Sequence, residues 1–177
     1  MNDFLELAAS RQSCRSFTDQ PVEHEKLVKC IEAAMLAPSG CNSQPWSFAV
    51  VETPEKVAEV AKCAMQLDIN DWLETAQAFI IVFEEYAKLI PNIRAVAPSQ
   101  IFAKGDLGAA VLSVCLEAET QGLGTCILGM YDRTNILKII DKPVEKQFGG
   151  LIAIGYPANP EKVEKRRKNF DDIVSFV

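Results

Sequence analysis

The sequence predicts an α+β fold in one domain spanning residues 1–177, with about 159–177 as a C-terminal extension. Three observations predict it. Helical and strand-like segments mix along the chain without the strict alternation of βαβ units. A length of 177 residues fits one domain, and a chain of that size buries roughly 70% of its unfolded surface. The composition is 49% hydrophobic and 24% charged, ordinary values for a globular chain rather than a disordered one.

The elements follow in order. Residues 3–13 read as a helix from the stripe Phe4, Leu5, Ala8 and Ala9. A polar joint follows, and then the stretch from Glu23 to Leu36. Leu27, Cys30, Ile31, Ala34 and Met35 recur there at amphipathic helical spacing. Ala37-Pro38-Ser39-Gly40 stops that helix with a proline and a glycine. Trp46 to Val51 reads as a strand, residues 54–67 as a helix, and Ala78 to Phe83 as a buried strand. Residues 84–104 carry few periodic cues and read as an irregular lid or binding stretch. Asp106 to Gln121 reads as a long apolar helix, Thr125 to Leu128 as a strand and 134–140 as a short helix. Leu151 to Ile154 is the last predicted strand, closed by Gly155-Tyr156-Pro157.

Charge and cysteine usage narrow the function. The net charge is −6, which disfavours binding to nucleic acid or to an anionic membrane. Apolar runs fall far below membrane-spanning length, and no signal peptide is read at the N-terminus. Six cysteines and one histidine offer no paired metal-ligand spacing. The expectation is a reduced, cytoplasmic protein with no metal site.

Four constellations could carry chemistry. Arg11-Gln12-Ser13-Cys14-Arg15-Ser16-Phe17 places two guanidinium groups and hydroxyls at a helix end, a donor set matched to phosphate oxygens. The competing reading is a solvated helix end. Pro38 to Trp46 joins a helix to a strand with a density of amides and small polar groups. Asn42 and Gln44 there suit the edge of a heterocycle, and a capped turn is the equal alternative. Gly122-Leu123-Gly124 follows a helix, and Ile127 breaks the GxGxxG spacing, so a Rossmann fingerprint is rejected. The basic run Lys162, Lys165, Arg166, Arg167 and Lys168 interrupts an acidic chain. It reads as a solvated face or as a phosphate-facing one.

Together these segments resemble the FMN-dependent nitroreductases, specifically their short single-domain members. The resemblance rests on RQSCRSF, APSGCNSQPWSF, DLGAAVLSVCLEAETQGLGTC, LIAIGYPA and the late KRRK, in that order. It implies a central, mostly antiparallel sheet wrapped by helices, and a homodimer whose C-terminal segment crosses to the partner. It also implies FMN at the interface and NAD(P)H as electron donor to nitro compounds, quinones or similar small-molecule acceptors by a ping-pong mechanism. By position, Arg11, Ser13 and Arg15 would hold phosphate and ribityl chain, with a contact from Gln12. Lys165 and Arg167 would close over the phosphate. Pro38, Ser39, Gly40 and Asn42 would come from the other subunit. Leu128, Gly129 and Met130 would lie against the flavin ring and aim a backbone N–H at its N5. Larger members place an acidic residue beside that glycine, and this chain does not. They also set an Asn and a Lys against the flavin, which have no counterpart assigned in residues 66–104.

The chemistry implied sits on the cofactor, so no catalytic side chain is expected and His24 reads as a surface residue. Cys14 and Cys41 read as packing groups first, and Phe102 and Trp72 as candidates for lining the substrate pocket or, equally, as core residues. Rival readings keep the fold with another flavin reaction, such as a flavin reductase or reductive dehalogenase. They also include a flavin-binding or thiol redox sensor using Cys14, Cys41 and Cys126, or an interaction protein without cofactor.

Overall fold

The computed structural model describes residues 3–65, 69–95, 97 and 99–177. Its helices are α1 (Phe4–Ser10), α2 (His24–Met35), α3 (Pro54–Ala64), α4 (Pro91–Arg94), α5 (Ser99–Thr120) and α6 (Arg133–Ile139). Its strands are β1 (Trp46–Val51), β2 (Ala78–Glu84), β3 (Gly124–Leu128) and β4 (Gln147–Gly155). They form one sheet in the order β1-β2-β4-β3, antiparallel at every pairing. The class is therefore α+β, as expected.

β2 is central, and its alternation divides the core. Phe79, Ile81 and Phe83 face α3 and α6, where they meet Val57, Val60, Ile136 and Leu137. Ala78, Ile80 and Val82 face α2 and α5, where they meet Leu27, Leu107, Val111 and Val114. A strand buried on both faces reads as a continuous apolar run, which is why AFIIVF stood out in the sequence. Each large side chain buried there contributes about 1.5–3 kcal/mol.

Three element boundaries depart from expectation. The first helix ends at Ser10 rather than at 13, because Arg11 turns extended so that Cys14 can pair with β3. The apolar stripe of α1 is also not buried, with Phe4 63% and Leu5 71% exposed. α5 begins at Ser99, seven residues before the expected start, so 99–104 belongs to a helix and not to the irregular stretch. Gly105 and Gly108 hid this, since glycine inside a helix costs about 1 kcal/mol relative to alanine. β4 begins at Gln147 rather than 151, where Gly149-Gly150 broke the strand pattern. These glycines let α5 sit close: a Cβ at 149 would fall 2.8 Å from Leu107 Cδ2, and one at 150 would fall 2.8 Å from Val111 Cγ2. The pairing shifts register at this point, with Val82 opposite Gly150 and Phe83 opposite Phe148. α3 ends at Ala64, and the last residues expected of that helix, 66 and 67, lie outside the described residues. Among the described residues no helix is long and apolar enough to cross a membrane.

Candidate functional site

Residues 11–17 leave α1 extended and lie against the outer side of β3. The Cys14 N–H donates to the Thr125 carbonyl at 2.9 Å, and Ser13 bridges Thr125 in parallel. Further on, Phe17 is buried and its N–H donates to Thr75 Oγ1 at 3.1 Å. Trp72, half-buried, tilts against Phe17 with ring centroids 6.2 Å apart, so it is a core residue.

The tail retraces this segment in the opposite direction. Phe17 bridges Pro157, and the Ala158 N–H donates to the Ser16 carbonyl at 3.0 Å. Gln12 then grips the tail with both ends of its amide. Its Nε2 donates to the Glu161 carbonyl at 2.9 Å, and its Oε1 accepts from the Val163 N–H at 3.1 Å. Finally Lys165 Nζ donates to the Ala8 carbonyl. The run of partners brings the tail cations beside Arg11. Partial burial and the positive charges of Arg11 and Arg167 pull the Lys165 ammonium below its ordinary value, with Glu119 opposing.

Lys162 pairs with Glu119 at 2.7 Å. The other ion pairs among the described residues are His24–Glu52 and Lys146–Glu85. Arg11, Arg15, Lys165 and Arg167 thus have no carboxylate partner among the described residues. Like charges crowd together here, opposed by a Glu119 carboxylate that is already paired with Lys162, which is the electrostatic pattern of an anion cradle.

Residues 38–44 form a second feature. Cys41, Asn42 and Gln44 all adopt left-handed backbone, at φ of 55°, 51° and 45°. Such conformations in non-glycine residues cost on the order of 1–3 kcal/mol each, so the loop must be held from outside. Ser39 Oγ accepts from the Gln44 N–H at 3.0 Å, and Asp106 Oδ2 on α5 accepts from the Gly40 N–H at 3.1 Å. Phe102, 36% exposed, lies against Gly40. Asn42 is left exposed at the tip.

The third feature is the end of β3. Leu128 is buried opposite Leu151, while Ile127 and Met130 are 46% and 42% exposed. A Cβ at Gly129 would meet nothing within 4 Å, so the backbone there is open to a close approach. β3 is an edge strand, and its five residues from Gly124 to Leu128 cover about 14 Å. One edge therefore carries the cation cradle at its start and an apolar, open backbone at its end.

The structure joins two of the three expected groups and keeps the third at the far end of α5 from the cradle. Arg11, Gln12, Ser13, Arg15, Lys165 and Arg167 come together along the start of β3, and Leu128, Gly129 and Met130 share that edge. Pro38, Ser39, Gly40 and Asn42 lie at the other end of α5. Asp106 holds their loop, whereas Glu119, paired with Lys162, and Cys115, within the field of Arg11, belong to the cradle end. The helical steps from residue 106 to residue 119 span about 20 Å. Asp106 was missed by sequence reading, since nothing local marks it as the partner of a loop 66 positions away. His24 is exposed and its ring is bonded to Glu52 at 3.0 Å, in keeping with a surface residue.

A family model described as Nitroreductase family matches residues 8–156. The chain belongs to this family. The chain is 27% identical to the FMN reductase [NAD(P)H] of Bacillus subtilis, over 90% of this chain and 68% of that protein. It is 24% identical to the iodotyrosine deiodinase of Thermotoga neapolitana, over 91% and 92%. The crystal structure of a nitroreductase family protein from Streptococcus pneumoniae superposes with a TM-score of 0.82 at 26% identity, covering 99% of this chain and 100% of that one. The family match stops at residue 156, just before the tail that carries Lys165 and Arg167.

Proposed function

We propose that this nitroreductase-family chain is an NAD(P)H-dependent FMN oxidoreductase that works as a cytoplasmic homodimer of single-domain subunits. The observation that carries the reading is the convergence of Arg11, Lys165 and Arg167 with no carboxylate partner among the described residues. That donor set fits the phosphate of FMN, which bears about two negative charges at neutral pH. FMN, when bound, supplies the hydride and electron transfer.

The chain's own residues supply the rest. Arg11, Arg15 and the tail cations hold the phosphate, with Ser13 beside them for the ribityl chain. The backbone at Leu128, Gly129 and Met130 offers a flat, open edge against which a ring can lie, with a peptide N–H as hydrogen-bond donor. Pro38, Ser39, Gly40 and Asn42 of a second copy close the ring site. The exposed Phe170, Ile173 and Phe176 of the tail end supply an apolar surface for that copy. NAD(P)H and then the acceptor, a nitro compound or quinone, occupy the same open space in turn. No side chain need act as general base, and burial raises the Cys14 and Cys126 thiols, which disfavours the thiolate a thiol sensor requires.

The test is the visible spectrum of the purified protein, followed by NADH and NADPH added separately under anaerobic conditions. A flavin spectrum that bleaches supports the reading and names the donor. Failure to hold FMN even after reconstitution overturns it, as does an FMN-loaded monomer in gel filtration.

A further inference from the structure

The Gln12 carboxamide behaves as an extra peptide unit inserted between two strands. It offers one donor and one acceptor, and the tail backbone takes both, at the Glu161 carbonyl and the Val163 N–H. Between Ala158, which is bonded to Ser16, and the cations at 165 and 167, the tail has few other fastenings among the described residues. One is the ion pair of the half-exposed Lys162 with Glu119. The other is Lys165's own bond to the Ala8 carbonyl. A slip of two residues would displace Lys165 by about 7 Å along the tail, enough to take its ammonium out of the cradle.

We infer that Gln12 is a positioning residue: its amide fixes the register of the tail on residues 8–18 and so delivers Lys165 and Arg167 to Arg11. The inference rests on the proposed function, because it takes phosphate as the ligand of the cradle. It assigns Gln12 a role apart from contact with the flavin. Glutamate cannot replace it, having no donor for the Glu161 carbonyl, and methionine matches its length with neither bond.

The experiment compares dissociation constants for FMN and for riboflavin, which lacks the phosphate. It uses the parent chain, Gln12→Met, Lys165→Ala/Arg167→Ala and the combined variant. Gln12→Met is expected to weaken FMN about fivefold or more and riboflavin less than about twofold. In the Lys165→Ala/Arg167→Ala background the same change is expected to add less than about twofold, because its effect passes through those cations. Equal losses for both flavins, or a full additional loss in that background, would overturn the proposal. Trypsin gives a readout independent of flavin: Gln12→Met should be cut several-fold faster at residues 165–168 than the parent, and an equal rate would overturn the clasp. A parent that takes up neither flavin removes the proposed function, and the trypsin rates then decide the clasp alone.

Discussion

Cys14 lies so close over Gly124 that a Cβ at 124 would fall 2.7 Å from Cys14 Cβ and 2.8 Å from its Sγ. The contact sets how tightly the 11–17 segment can lie on β3. Gly124→Ala is expected to destabilise the chain by about 1–3 kcal/mol, measured by denaturant unfolding. Adding Cys14→Gly should regain part of that loss. Adding Cys14→Ala should not, because the closest approach is to the Cβ itself. Equal rescue by both would mean that the sulfur alone sets the distance.

Arg11→Ala should raise the FMN dissociation constant at least tenfold, about 1.4 kcal/mol. Quenching of flavin fluorescence measures it. The loss should shrink as salt rises, since a charge contact is being removed. A change below about twofold would take Arg11 out of the site.

Asp106→Ala removes the acceptor that holds Gly40 and with it the strained 41–44 turn. The expected cost is about 1–2 kcal/mol, a fall in Tm of about 2–8 °C for a chain of this length. Asp106→Asn keeps an oxygen acceptor and should lose less than half as much. If the two variants melted alike, the carboxylate charge rather than the hydrogen bond would be holding the loop.

His24 is the single histidine, so its ring proton signal in NMR needs no assignment by mutation. The hydrogen bond that its ring donates to Glu52 raises its pKa above the ordinary 6.5, and the Glu52 charge adds to that. A raised folded value means that the pair's stabilisation is fully present below pH 6.5 and is lost as pH rises through the folded midpoint. The titration midpoint should therefore lie above 6.5 in the parent and fall toward it in Glu52→Gln. An unchanged midpoint would show that the pair does not persist in solution.

Patterned segments were legible in the sequence, and the reasons are local. Leu27, Cys30 and Ala34 on α2, and the doubly buried run of β2, carry their burial in their own periodicity. Gly105 and Gly149-Gly150 hid parts of α5 and β4, because their use lies in what packs over them, Leu107 and Val111, which sequence spacing does not show. The same holds at the site. The residue types of RQSCRSF and KRRK pointed to an anion, yet the pairing of Gln12 with Glu161 and Val163 is a long-range contact. So is the bond from Gly40 to Asp106. Trp72 illustrates the converse: a lone aromatic left pocket wall and core as equal readings, and only the packing of its ring on Phe17 decides for the core.

The two ends of α5 also make the proposed site divisible between chains. A subunit crippled at the cradle by Arg11→Ala keeps a sound 38–44 loop, and one crippled at the loop by Asp106→Ala keeps a sound cradle. Mixed and allowed to exchange, they would form hybrids in which one site inherits both intact halves and the other both damaged ones. Two weak flavin binders would then yield a mixture better than either, with at most one tight site per hybrid. Intersubunit complementation of this kind is available only to a chain whose site draws one half from each subunit.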